Sequence, residues 1–313
     1  MDIVVELGAG LDVHKETVVV TVDGPGIKKE TRTFKTFTND LMKLRDWLKS
    51  NGITHVAIES TGIYWKPVFN ILEADFEVVL VNARHIKYVP GRKTDVTDSE
   101  WLCKLLRNGL LKSSFIPPRD IRELRDLTRY QKKLVQTVSA EKNRLQKLLE
   151  DANIKLSSVV SDTFGVSATA IVEALLEGKL TPKEMSRLAR GKLKQKQNEL
   201  HEALAGKITM HHVFMIKQSK EHIKSVETLI AAIDQQIDEH LKPYQQAYEL
   251  LQTAPGIKRS AAAIIAELGV NMGQFPTEDH LSSWAGMSPG NNESAGKKKV
   301  PRPPMEIKRF GRP

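Results

Sequence analysis

Four acids have the residue types and spacing for metal chemistry. Asp12 lies in Leu11-Asp12-Val13-His14, inside or at the end of a short apolar run, and Glu59 closes Val56-Ala57-Ile58 in the same way. An ionised carboxylate there is costly unless a cation or a hydrogen-bond donor stands nearby. Two acids ending two strands of one sheet can meet, and their like charges are tolerated when a divalent metal sits between them. Asp95 and Asp98 are three apart at the start of a helical pattern, so both can face one side. Together the four would form a carboxylate cage. All-oxygen ligands suit Mg²⁺ or Mn²⁺ rather than zinc, and two such ions ~4 Å apart would clamp the attacking and leaving oxygens of a phosphodiester. Each acid also has a purely structural reading. Thr97-Asp98-Ser99-Glu100 is a capping box, acids at a helix start complement its macrodipole, and a strand-terminal acid can simply face a loop.

Elements of several kinds must position these acids. From Ile3 to about Leu110, short β-branched runs alternate with amphipathic segments, the pattern of a mixed α/β domain. The spacing predicts strands over 8–14, 17–22 and 31–37, an antiparallel meander whose third member follows the Gly24-Pro25-Gly26 turn. Asn39 is expected to cap a helix running to Ser50, with Asn51-Gly52 ending it. A strand over 55–59, a helix over 64–73, a strand over 76–81 and a helix over 97–111 follow. Residues 119–150 then read as one long helix, apolar at Leu124, Leu127, Leu134, Val138, Leu145 and Leu148. A second heptad-like seam runs through Ile223, Val226, Ile230, Ile233, Ile237 and Leu241. These two predict an antiparallel coiled-coil arm around a less regular insert, paired within one chain or between subunits. The division expected is 1–115, 116–248 and 249–313.

The chain has 313 residues, 40% apolar and 27% charged, with 47 Lys plus Arg against 38 Asp plus Glu, a formal charge of +9. Such a basic balance favours a polyanionic partner. The longest uncharged runs, 163–172 and 281–292, are far short of the ~18 apolar residues of a membrane span, so no membrane partner is expected. No basic segment followed by an apolar one opens the chain, which predicts a cytoplasmic protein. The single Cys103 excludes an internal disulfide and a Cys-rich zinc site. His211-His212 are adjacent and on different helix faces, and the other histidines show no ligand spacing. Arg122, Arg125, Arg129 and Lys132 share one face of the long helix and could track a nucleic-acid backbone, or be solvated and paired with Glu123 and Asp126. Pro255-Gly256-Ile257 ahead of Ser260 is either the phosphate-holding turn of a helix-hairpin-helix or a Gly turn between packed helices. Tyr64 and Trp65 are core residues or stacking platforms for a base. Residues 296–313, with seven Lys or Arg and four Pro, read as a disordered tail.

The order β-β-β-α-β-α-β-α, with acids on the first strand, the fourth strand and a late helix, is that of an RNase H-like nuclease. Three motifs make the likeness specific: Gly10-Leu11-Asp12-Val13-His14-Lys15, Glu59-Ser60-Thr61-Gly62-Ile63-Tyr64, and Val81-Asn82 leading into Gly91-Arg92-Lys93-Thr94-Asp95-Val96-Thr97-Asp98. They resemble the DEDD transposases of the insertion-sequence one-ten family. The resemblance covers the first domain to about Leu111, the helical middle more loosely, and 253–299. It implies a RuvC-like N-terminal domain whose Asp12, Glu59, Asp95 and Asp98 bind the divalent metals, and a small mainly α C-terminal domain whose serine attacks DNA phosphate. Of Ser288 and Ser294, the family pattern fits Ser294-Ala295-Gly296-Lys297 better, which implies Ser294 as nucleophile with Lys297 beside it. It further implies DNA as substrate, a structured guide RNA from the same mobile element, and a homo-oligomer joined through the coiled coil. Family members continue for many tens of residues past this serine, whereas this chain ends at Pro313, so a shortened serine domain is expected. Three rivals stand beside this reading. One is a junction-resolving nuclease using metal-activated water, and another an inactive nucleic-acid-binding remnant. The third, an actin-like phosphotransferase, is disfavoured because Lys15-Glu16 stand where its Gly-rich loop would be.

Overall fold

Alternating β-branched residues build the sheet that organises the first part of the chain. The computed structural model describes residues 4–60, 62–82, 97–258 and 260–287, with the backbone of 293–294 and 297–298. The chain divides into two units, Met1–Ile116 and Pro117–Pro313.

In the first unit β1 (Gly8–Val13), β2 (Thr17–Asp23) and β3 (Glu30–Lys35) form an antiparallel meander. β4 (His55–Glu59) and β5 (Glu77–Val81) extend it in parallel, giving the order β3-β2-β1-β4-β5. One face packs on α1 (Thr38–Ser50) and α2 (Trp65–Leu72): Ala9, Leu11, Val18, Val20, Val56 and Ile58 meet Leu41, Leu44, Leu48, Val68 and Leu72. Each of these larger side chains contributes about 1.5–3 kcal/mol by leaving water. The opposite face, through Ala57 and Val81, packs on Trp101, Leu102, Leu105 and Leu106 of α3 (Asp98–Arg107). The mixed five-stranded sheet with helices on both faces agrees with an RNase H-like domain.

Three local expectations are corrected. Asn39 lies inside α1, whose N-cap is Phe37 and makes no side-chain cap bond, because the helix begins two residues earlier than the amide would require. β3 stops at Lys35 instead of Phe37, and Thr36 is held by the backbone of Glu16 and Lys15. α3 ends at Arg107, not at Leu111, since Gly109 takes the left-handed conformation (φ 65°) and turns the chain away.

The second unit is helical. α4 (Arg119–Asp151) runs antiparallel to another long helix, Met210–Leu241, with Leu134 and Val138 against Ile223 and Val226, and Ile121 and Leu124 against Ile237 and Leu241. The pairing is thus within the chain. The intervening insert is more regular than its sequence suggested. It contains α5 (Val166–Glu177) and shorter helices at Leu156–Val159, Pro182–Ser186 and Gln197–Ala203, which bury Leu156, Ile171, Met185 and Leu200 with Leu145 and Leu149. Calling Met210–Leu241 α6, the chain continues through α7 (Gln245–Gln252), α8 (Ala261–Leu268) and α9 (Glu278–Trp284). The predicted tail over 296–313 lies outside the described residues except for the backbone of 297–298.

Candidate functional site

The strand period of two decides which way the first two acids face. Gly8, Gly10 and Asp12 alternate onto one side of β1, while Ala9, Leu11 and Val13 go into the α1/α2 core. Glycine is required at position 10, where a Cβ would stand 2.1 Å from the Ser99 carbonyl oxygen and 2.3 Å from the Cys103 nitrogen. α3 therefore lies directly on β1 and runs against it, Arg107 beside Gly8 and Ser99 to Cys103 beside Gly10. Its N-terminus, with Asp98 as first residue, points to the Asp12 end of the strand. The parallel register pairs Gly10 with Ala57 and Leu11 with Ile58, so Asp12 and Glu59 each stand one step further on adjacent strands. Ala57 faces α3, and Glu59, two residues on, faces the same side. Both acids are half-buried, and Asp98 is exposed.

A chain of buried hydroxyls fixes the helix that carries Asp98. Ser99, with no exposed surface, bonds through Oγ to Thr21 Oγ1 at 2.9 Å, and Thr21 in turn meets Thr31 Oγ1 at 2.8 Å. Thr97 caps the helix by accepting from the Glu100 N–H at 3.4 Å, one half of the expected capping box, while the Glu100 side chain reaches Lys29. Further along, the Cys103 thiol donates to the Gly8 carbonyl at 3.2 Å, and burial pushes its pKa up to about 12. Arg107 ties the far end to Asp23 at 2.5 Å and to the Glu6 carbonyl. Apart from the Thr97 cap, none of these hydroxyl or thiol roles was read from the sequence. The glycines two and four residues before Asp12 were the available sign of a close helix.

The Asp12 carboxylate is engaged by His14 Nε2 at 3.0 Å. Among the described residues no three carboxylates, imidazoles or thiols gather into a group able to hold a metal ion. Asp95, the fourth expected ligand, lies outside those residues. The donor set itself suits a hard divalent cation, with two carboxylates adjacent in register and a third at a helix start on the same face.

In the second unit, Ser294 and Lys297 are paired in a two-residue antiparallel ladder with Glu293 and Lys298, and Ser288 lies outside the described residues. The basic stripe on α4 is corrected in part. Arg125 donates to the carbonyls of Ala266 and Glu267 at 2.9 Å each, and Arg129 grips both oxygens of the Glu267 carboxylate at 2.7 and 2.8 Å. Glu267 is only 5% exposed, so these arginines hold the end of α8 instead of facing a ligand. Nothing in the helical period of α4 distinguishes them from solvated neighbours. The Pro255-Gly256-Ile257 segment is a tight turn between α7 and α8, with Gly256 at φ 81° and Ile257 N–H donating to Ala254. His212 caps α6 with Thr209 and meets Asp151 at 2.8 Å, a structural role. Trp65 packs edge-on against Phe69 as part of the core, while Tyr64 is exposed. Among the described residues no helix is long and apolar enough to cross a membrane.

Comparison with known proteins agrees with this layout. Residues 9–154 match the family model of the DEDD IS110 transposases, and residues 248–309 match the model described as the transposase IS116/IS110/IS902 family. A curated protein of Pseudomonas aeruginosa described as a "Probable family 20 transposase" is 21% identical over 262 residues, which span 82% of this chain and 68% of that protein. The first match covers the α/β unit and continues through α4, holding three of the four acids on described residues, and the second covers the serine motif. The chain belongs to the IS110 family of DEDD transposases, enzymes that bind and recombine DNA.

Proposed function

We propose that this transposase cuts and rejoins DNA strands by metal-assisted attack of Ser294 on a phosphodiester. Asp12, Glu59, Asp95 and Asp98 would hold Mg²⁺ or Mn²⁺, two ions in all, which when bound neutralise charge on the scissile phosphate. The observation that carries the reading is the register of β1 on β4, with Asp12 and Glu59 side by side on the face toward which Asp98 starts its helix. Asp12 would release His14 to take a cation. Ser294 Oγ would bond to phosphorus as the phosphorus–oxygen bond to one sugar breaks, leaving a phosphoserine and a free hydroxyl end. Lys297, paired with Ser294 across the ladder, is the nearest basic residue in register to offset the developing charge. A structured RNA from the same element would select the DNA. A homo-oligomer joined through the helical arm would let one protomer supply acids and its partner the serine.

Covalent trapping tests this. The protein is incubated with Mg²⁺ or Mn²⁺, RNA from its flanking region and end-labelled junction DNA, then run on a denaturing gel. Label retained on protein is expected for wild type and Ser288→Ala and lost in Ser294→Ala, Asp12→Asn and Asp95→Asn. Free cut DNA surviving Ser294→Ala would replace the serine by water. Size-exclusion chromatography giving only monomer with both nucleic acids present would remove the oligomer.

A further inference from the structure

Outside the carboxylate face and the serine ladder, the second unit has a cavity of about 250 Å³ between α4, α6 and the start of α5. Its walls combine two chemistries. Leu145, Val172 and Ile223 make an apolar floor, and Phe164 adds an aromatic ring at the side. That ring is only part-buried, yet it packs on the hydrophobic cluster of the insert as well as on that of the long-helix pair. Its backbone is pinned at both ends, Phe164 N–H donating to Asp162 Oδ1 at 2.9 Å and Thr169 Oγ1 donating to the Phe164 carbonyl at 3.2 Å. The platform is therefore preformed. Around it stand Lys142, Lys220 and Lys224 against the single acid Glu227. Lys142 Nζ lies 5.1 Å from the Phe164 ring centre and 3.8 Å from Glu227, a loose placement from which a long side chain can turn to a better anion. Lys220 pairs with Glu173, and Lys224 is exposed at the mouth.

We infer that this cavity seats one unpaired nucleotide of a single nucleic-acid strand, its base on Phe164 and its flanking phosphates on Lys142 and Lys224. An apolar floor with one fixed ring accepts any base face, and the excess of lysines suits the backbone on either side. A duplex keeps its bases stacked inside and has none to offer. The inference stands apart from the roles of Asp12 and Ser294, because it concerns binding alone and is read without metal or cleavage.

The test uses fluorescein-labelled oligo(U) and oligo(dT) of about 12 nucleotides and a duplex of equal length, titrated with the full chain by anisotropy. Phe164→Leu, which keeps an apolar group on the core, is expected to weaken single-strand binding about tenfold and leave the duplex unchanged. Lys224→Gln should lower the salt slope by about one phosphate contact. Photocrosslinking of 4-thiouridine or 4-thiothymidine oligomers to wild type should label the peptides around 163–172, and the stronger of the two shows whether RNA or DNA is the natural source. Unchanged affinity and slope in both variants, or crosslinks confined to other peptides, would overturn the assignment. So would tight competition by an acidic peptide at the same peptides. The crosslink on wild type and the exposed Lys224→Gln decide the matter even if Phe164→Leu folds poorly.

Discussion

The two units treat their charged residues in opposite ways. In the α/β unit, Asp12 and Glu59 stand at the ends of adjacent strands whose alternation directs them to the same face, so register gathers them. In the helical unit, Arg125 and Arg129 share a helix face suited to phosphate, yet tertiary contact with α8 spends both on Glu267 and its neighbouring carbonyls. Strand alternation has only two directions, so a residue's face follows from its position. A helix surface offers many directions, and a long arginine takes whichever acid folding brings near.

Five experiments would break or sharpen this contrast. The largest effect is expected at Cys103. At pH 9 an unfolded thiol is about half ionised, whereas a native thiol with a pKa near 12 is about one-thousandth ionised, so iodoacetamide should label native protein several hundredfold more slowly than urea-unfolded protein. The folded thiol holds its proton more tightly than the unfolded one. Its contribution to stability is therefore full below pH 9 and lost as pH rises from 9 through about 12. Equal labelling rates would mean that α3 does not lie closed on β1.

Gly10→Val comes next, because no rotamer avoids the α3 backbone 2.1 Å from the first added carbon. Urea unfolding should show a loss of about 3 kcal/mol or more, and cleavage should fall with it. In the other unit, Glu267→Ala leaves two arginines without their acid. Arg129 is 46% exposed and recovers water, so the loss should be about 2 kcal/mol, short of the 3–5 of a fully buried pair. A loss below about 0.5 kcal/mol would return those arginines to the nucleic-acid stripe. Ser99→Ala removes the bond to Thr21, whose hydroxyl keeps its bond to Thr31, a cost of about 1 kcal/mol measurable in the same assay. If the hydroxyl chain also aims the acids, this variant needs more Mn²⁺ for half-maximal cleavage. The smallest change is at Asn39→Ala, expected within about 0.5 kcal/mol because Asn39 caps nothing.

Much of the architecture was legible. Alternation and apolar runs placed the five strands, and the seams of α4 and α6 foretold their antiparallel pairing, although not that it lies within one chain. Boundaries were less so, since α1 is capped by Phe37 with no polar side chain, and the Asn108-Gly109 stop of α3 was passed over although Asn51-Gly52 was read as the same signal. The insert between the long helices was underestimated. Its helices are short and take their stability from a shared cluster around Leu145, Ile171 and Leu200, which no single window of sequence reveals.

For the candidate site, Asp12 and Glu59 were legible as acids closing apolar strands, and Asp98 as an acid at a helix start. Strand parity puts Asp12 on the side opposite Leu11 and Glu59 on the side opposite Ile58. By itself the sequence determined the period of each element, and hence which residues share a side, because backbone geometry sets that period locally. Only tertiary structure decided that α3 lies against Gly10, that Thr21 and Ser99 share a hydrogen bond, and that Glu267 claims Arg125 and Arg129. Those contacts join residues about 80 to 140 positions apart, and packing selects such partners from many that local chemistry would accept equally.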